Sequence, residues 1–205
     1  MKHQVIDSLP SLDALFGVVG DASLRKEVSC LHVTYQAMIK ASPFLVLATA
    51  GPNGLDASPR GDPSGFVSIY DEKTLYLPER RGNNRIDSLR NIVSDPRVAL
   101  LFLIPGRGET LRVNGTARIL VSPDLLKQFE VQGAVPKCVI EVRVEAVFFQ
   151  CARAIQRSNL WQALSAEILS TVPSPGSVLQ ALTDSSLDGK QYDLELPARQ
   201  RSSLY

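Results

Sequence analysis

The chain has 205 residues, 44% hydrophobic and 21% charged, with a formal net charge of +1 and an isoelectric point near 7.7. This is enough to bury a core, and the near-neutral balance leaves no molecule-wide footprint for nucleic acid or an anionic membrane, so any anion site must be local. The longest apolar stretches, 44–50 and 98–105, fall far short of the ~20 residues that cross a bilayer, and residues 1–9 lack the pattern of a secretory signal, so a cytoplasmic location and no membrane partner are expected.

In chain order, residues 23–42 carry Leu24, Val28, Leu31, Tyr35, Met38 and Ile39 at helical spacing, and Pro43 ends the run, which predicts one amphipathic helix with His32 on its surface or boundary. The period then changes. Residues 44–50 read as a strand, Gly51-Pro52-Asn53-Gly54 as a tight turn and 55–60 as the returning strand; residues 66–70 and 74–77 form a second hairpin about Asp71-Glu72-Lys73. Pro59 inside a strand pattern favours an edge or a bulge. A helix is predicted over 85–93 and stopped by Asp95-Pro96, followed by an apolar strand at 98–104 and a long strand at 110–121. Ser122-Pro123-Asp124 opens a helix, 137–151 is a further strand, and the tail from 152 is helical with a Ser/Pro-rich stretch near 171–177. Six or more strands joined by short turns suggest a closed or partly closed antiparallel barrel, mainly β with flanking helices (α+β). One domain over 1–205 is expected, with a helical segment at about 10–42 and a helical tail at about 152–205.

Three constellations carry chemistry. Glu79-Arg80-Arg81-Gly82-Asn83-Asn84-Arg85 sits between a strand end and a helix start, and offers guanidinium groups, side-chain amides and free helix N–H groups. That set suits a phosphate dianion, because guanidinium binds it bidentately and the helix end adds oriented amides; a solvated basic loop with Asn84 as helix N-cap fits the spacing equally well. Residues 56–65, with Ser58-Pro59-Arg60-Gly61, form either a ligand-binding edge or a surface loop with an exposed arginine. Residues 151–161 join Arg153 and Arg157 to the only tryptophan, Trp161, which either anchors the tail or forms a flat wall for an aromatic ligand.

No GxSxG elbow, Cys/His pair, HExxH site, GxGxxG turn or Walker loop occurs, so no catalytic acid, base or nucleophile is assigned and any reactive chemistry belongs to a cofactor. Cys30, Cys138 and Cys151 are widely spaced and the only histidines are His3 and His32, which argues against a disulfide framework and a metal site.

The blocks SPFLVLATAGPNGLDASPRGDPSGFV, LPERRGNNRIDSLRNIVSDPRVALLFLIPG, ETLRVNGTARI and CARAIQRSNLW, with SSLY at the end, resemble in this order the pyridoxamine 5'-phosphate oxidase-like FMN-binding flavoproteins, and among them a branch of probable FMN-dependent enzymes. The resemblance implies a six-stranded antiparallel split barrel that forms a homodimer with FMN at the subunit interface. It places Ser58, Pro59, Arg60 and Gly61 along the flavin. Arg80, Arg81, Asn83, Asn84 and Arg85 gather around the phosphate and ribityl chain, with Arg80 and Arg81 interchangeable. Thr110 and Arg112 approach from the partner subunit, and Arg157 and Trp161 close the cleft. It further implies an FMN-dependent oxidoreductase of unnamed small-molecule substrate; the alternative is a non-catalytic flavin- or haem-binding split barrel. The second strand differs from the RxVLLK pattern of pyridoxamine 5'-phosphate oxidase itself, and the tail has no RxH-type pair, so vitamin B6 oxidation is not implied.

Overall fold

The computed structural model describes residues 3–205; Met1 and Lys2, part of the polar N-terminal stretch, lie outside the described residues. Its elements run α1 Leu9–Asp13, α2 Asp21–Arg25, α3 Val33–Ala41, β1 Phe44–Gly51, β2 Gly54–Gly61, β3 Ser68–Asp71, β4 Thr74–Pro78, α4 Asp87–Ser94, β5 Arg97–Leu103, β6 Thr110–Leu120, α5 Pro123–Lys127, β7 Val139–Gln150, α6 Arg153–Ser158, α7 Ala166–Thr171, α8 Pro175–Leu182 and α9 Gly189–Arg201. The sheet has seven strands, not six, in the order β2-β1-β5-β6-β7-β4-β3, every neighbouring pair antiparallel and both edges open. No helix among the described residues is long and apolar enough to cross a membrane.

Period-2 alternation builds the interior. Leu45 and Leu47 on β1, Leu100 and Phe102 on β5, Leu111 and Val113 on β6, Ile140 and Val142 on β7, and Leu75 and Leu77 on β4 are wholly buried, and they meet Leu31, Tyr35 and Ile39 from the segment that leads into and along α3. Each such side chain contributes about 1.5–3 kcal/mol through burial. Gly115 sits where β6 and β7 slip register by one residue; a Cβ there would collide with the carbonyl of Arg143, so the bulge requires glycine.

The single helix expected over 23–42 is two. Val28 exchanges both backbone hydrogen bonds with Val147 of β7 (3.1 and 2.8 Å), and the Leu31 N–H donates to the Glu72 carbonyl at 2.7 Å. Sheet pairing thus overrides the helical pattern across Val28-Ser29-Cys30, all weak helix formers. Cys30 therefore lies outside any helix. His32 becomes the N-cap of α3, its Nδ1 accepting the Thr34 N–H at 3.3 Å.

Candidate functional site

β2 is an edge strand bonded only to β1, as Pro59 requires, since proline lacks a ladder donor. Along it Asp56, Ser58 and Arg60 are half-buried on one face while Leu55, Ala57 and Pro59 are exposed on the other. The sheet curls enough to bring this edge to the loop after β4, although four strands separate them in sheet order: Arg60 Nη2 stands 3.2 Å from Glu79 Oε2. Between them opens a cleft of about 1220 Å³, floored by the start of α4 and closed on a third side by residues 134–138 ahead of β7.

Ser58, Pro59, Arg60 and Gly61 line this cleft together with Arg80, Arg81, Asn83, Asn84 and Arg85, so two segments twenty residues apart form one site. Five cationic side chains, Arg60, Arg80, Arg81, Arg85 and Lys137, face three carboxylates, Asp56, Glu79 and Asp87; Asp62 behind the wall neutralises Arg80, which leaves a surplus of one positive charge. The cations are not equivalent. Arg80 is committed to the fold: Nε donates to Asp62 Oδ2 at 2.7 Å and Nη1 to the Phe129 carbonyl at 2.6 Å. Arg85 Nε pairs in the open with Asp87 at 2.6 Å. Arg60 and Glu79, with side chains 18% and 21% exposed, make an ion pair without good hydrogen-bond alignment, which leaves Arg60 Nε and Glu79 Oε2 buried and unpartnered. Arg81 is exposed and forms no ion pair among the described residues.

Asn84 is not the helix cap. It takes a left-handed conformation (φ 59°), and the N-cap of α4 is Ile86, whose side chain has no polar atom to offer the first turn. Asn83 Oδ1 instead accepts the Arg85 N–H at 3.0 Å, a side-chain turn that shapes the loop. The N–H groups at the start of α4 therefore lack a side-chain cap on the cleft side.

Two groups not singled out in the sequence, Ser88 and Lys137, complete the walls. Ser88 on α4 donates to Asp56 Oδ2 at 2.6 Å and Ser58 donates to the same oxygen at 2.9 Å, with the two hydroxyl oxygens 3.0 Å apart, which ties β2 to α4. The Ser88 hydroxyl above all holds the Asp56 carboxyl below its usual range. Burial pushes Glu79 up, opposed by the Arg60 charge, and burial likewise raises Cys138, whose carbonyl accepts the Glu79 N–H at 3.0 Å. Period-2 spacing could have put Asp56 beside Ser58 and Arg60; no local signal marks Ser88 or Lys137.

Thr110, Arg112, Arg157 and Trp161 do not line this cleft. Thr110 opens β6 opposite Gln150, Arg112 lies over the Phe148 ring at 5.3 Å, and Trp161, 39% exposed, donates from Nε1 to the Arg107 carbonyl at 2.6 Å. Arg157 is exposed on α6.

Among solved structures the chain is similar to HupZ of Group A Streptococcus (21% identity, 56% of this chain and 90% of that one, TM-score 0.47). It is also similar to a Clostridium acetobutylicum protein related to general stress protein 26, of the pyridoxinephosphate oxidase family (14%, 58% and 87%, 0.46), and to general stress protein 26 of Bacillus anthracis (18%, 56% and 88%, 0.42). No curated protein matches. The pyridoxamine 5'-phosphate oxidase family model, however, matches residues 31–151, from the segment before α3 through β7, which is more than half of the chain and holds both cleft-forming segments; this chain belongs to that family.

Proposed function

We propose that the chain is an FMN-binding flavoprotein, and that the cleft between the β2 edge and the loop after β4 holds the cofactor, its phosphate at Arg81, Asn83 and Asn84. The observation that carries this reading is the surplus of positive charge around Arg81, an arginine without an ion-pair partner among the described residues, because a phosphate monoester is a dianion that guanidinium and free helix amides bind well. The unpartnered Arg60 Nε supports the fit, since a ligand acceptor would satisfy it. In this arrangement Ser58 and Arg60 line the flavin, and the Asp56-Ser58-Ser88 bonds hold that strand in place.

When bound, FMN supplies hydride or electron acceptance at its ring system. The chain's residues bind and orient it: Arg81 neutralises phosphate charge, Arg80 fixes the loop through Asp62, and Glu79 keeps Arg60 aimed along the cleft. The activity that follows is an FMN-dependent oxidoreduction of a small molecule. Because Thr110, Arg112, Arg157 and Trp161 stand away from the cleft of their own chain, we assign them to the cleft of a second copy, which makes the functional unit a homodimer with shared sites.

Apo-protein titrated with FMN, FAD and riboflavin, followed by flavin fluorescence, tests the assignment. FMN should bind best, and equal affinity for riboflavin would remove the phosphate role. Light scattering of the loaded protein should report twice 22.4 kDa; a loaded monomer would end the shared-site model. Reduction of the bound flavin by a nicotinamide donor, followed by turnover with acceptors, separates an enzyme from a carrier.

A further inference from the structure

A residue remote in sequence from both cleft segments stands at the end of the cleft. The glycines Gly176 and Gly189 let α8 and α9 approach so closely that a Cβ on either would meet the other's carbonyl, and the Gly176 N–H donates to Asp193 Oδ1 at 2.8 Å. This helical hairpin carries the chain back to the cleft, where the Tyr205 hydroxyl donates to Asp62 Oδ1 at 2.6 Å. The other oxygen of that carboxylate takes Arg80, whose guanidinium lies 5.6 Å from the Tyr205 ring centre. The bond to Asp62 raises the Tyr205 phenol above its ordinary range, so it stays protonated and donating at neutral pH.

Tyr205 borders two spaces. One is the cleft; the other is a groove of about 650 Å³ running between residues 61–63, the loop at 80–83 and the end of α9. Arg81, Gly82 and Asn83 line both. A phosphate held at Arg81 would therefore sit at the junction, and anything esterified to that phosphate would have to continue into the outer groove past the Tyr205 ring.

We propose that Tyr205 is a specificity-determining residue, the partition that lets the cleft accept a flavin ending in a phosphate monoester and turns away one whose phosphate continues into an adenylate. This rests on the FMN reading of the cleft. The ring does the excluding; the hydroxyl, through Asp62, keeps the ring across the junction and Arg80 out of the ligand's way.

The test is the ratio of FAD to FMN dissociation constants for the full-length protein, titrated by flavin fluorescence. Wild type should favour FMN by about tenfold or more, the cost of about 1.4 kcal/mol of lost contact or added clash. Tyr205→Ala should bring the ratio towards one, mainly by tightening FAD, whereas a purely structural residue would weaken both ligands alike. Tyr205→Phe keeps the ring but loses its bond to Asp62, and should give a ratio between those of wild type and the Ala variant. Tyr205→Leu shortens the partition while retaining apolar packing, and should move the ratio in the same direction as Ala should the Ala variant not fold. Preference for FMN unchanged in the Ala and Leu variants would overturn the partition. Equal FAD and FMN affinity in wild type would overturn it while leaving flavin binding intact, and a wild type that binds neither would overturn both readings.

Discussion

Two adjacent arginines stand on two walls of one cleft and meet opposite fates. On the wall built by Asp62, Arg80 and Tyr205 every charge has a partner: the Asp62 side chain is 3% exposed and that of Arg80 17%. On the wall of residues 81–85 the side chains are exposed, and the one ion pair there, Arg85 with Asp87, is a solvent-facing contact of the kind that adds little stability. The lesson is that the burial of the facing carboxylate, not the arginine itself, decides whether the arginine is tied into the fold or left at the surface.

The sharpest way to break this contrast is Arg80→Ala. It leaves the Asp62 carboxylate in a nearly closed site without its cation and with the neutral Tyr205 hydroxyl as its remaining side-chain partner, and breaking a buried pair costs about 3–5 kcal/mol. The lower end applies here because Arg80 is partly exposed, so a fall in melting temperature of roughly 6–12 °C is expected for a chain of this size. Thermal melts of the apo-protein check it, and an unchanged melt would put Arg80 on the same footing as Arg81. Leu100→Ala provides a scale from the sheet interior, where its side chain is wholly buried. It should cost about 2–5 kcal/mol through lost burial and a residual cavity, measurable by urea denaturation.

Arg81→Ala should do the reverse of Arg80→Ala. Stability should change by less than about 0.5 kcal/mol, while loss of a charge-assisted hydrogen bond worth about 1.5–3 kcal/mol should weaken FMN binding roughly 10- to 150-fold. Arg85→Ala should have a smaller effect than Arg81→Ala, because Asp87 already engages its guanidinium. Unaltered FMN affinity in both variants would move the phosphate site towards Ser58 and Arg60.

The smallest expected effect is on the β2 wall. Asp56 is held below its ordinary value of 3.8, chiefly by the Ser88 hydroxyl. A carboxylate with a depressed folded pKa contributes stability at pH above its unfolded value, and that contribution disappears as pH falls through the folded value. Ser88→Ala should therefore cost about 0.5–1.5 kcal/mol near neutral pH, shift the acid unfolding limb to higher pH, and converge with wild type in strong acid. Melts from pH 2 to 7 read this directly; a constant difference across the range would mean that Ser88 acts through packing alone.

Much of this was legible in the sequence because it depends on neighbours along the chain. Period-2 runs such as Leu45/Leu47 and Leu100/Phe102 mark strands whatever they pair with, Pro59 demands an edge, and the density of Arg and Asn at 80–85 marks a basic, amide-rich loop before any fold is known. Tertiary structure decided what depends on partners brought from afar. Val28 left a helical pattern because β7 offered its backbone two hydrogen bonds, and β7 itself lies between β6 and β4, an order no local pattern encodes. Arg80 and Arg81 are indistinguishable in sequence and were separated only by Asp62 and Phe129. Tyr205, 143 positions along the chain from Asp62, is brought to the cleft and bonded to that carboxylate only by the tertiary fold. Propensity acts over a few residues, whereas burial, charge pairing and cavity shape are set by which segments meet.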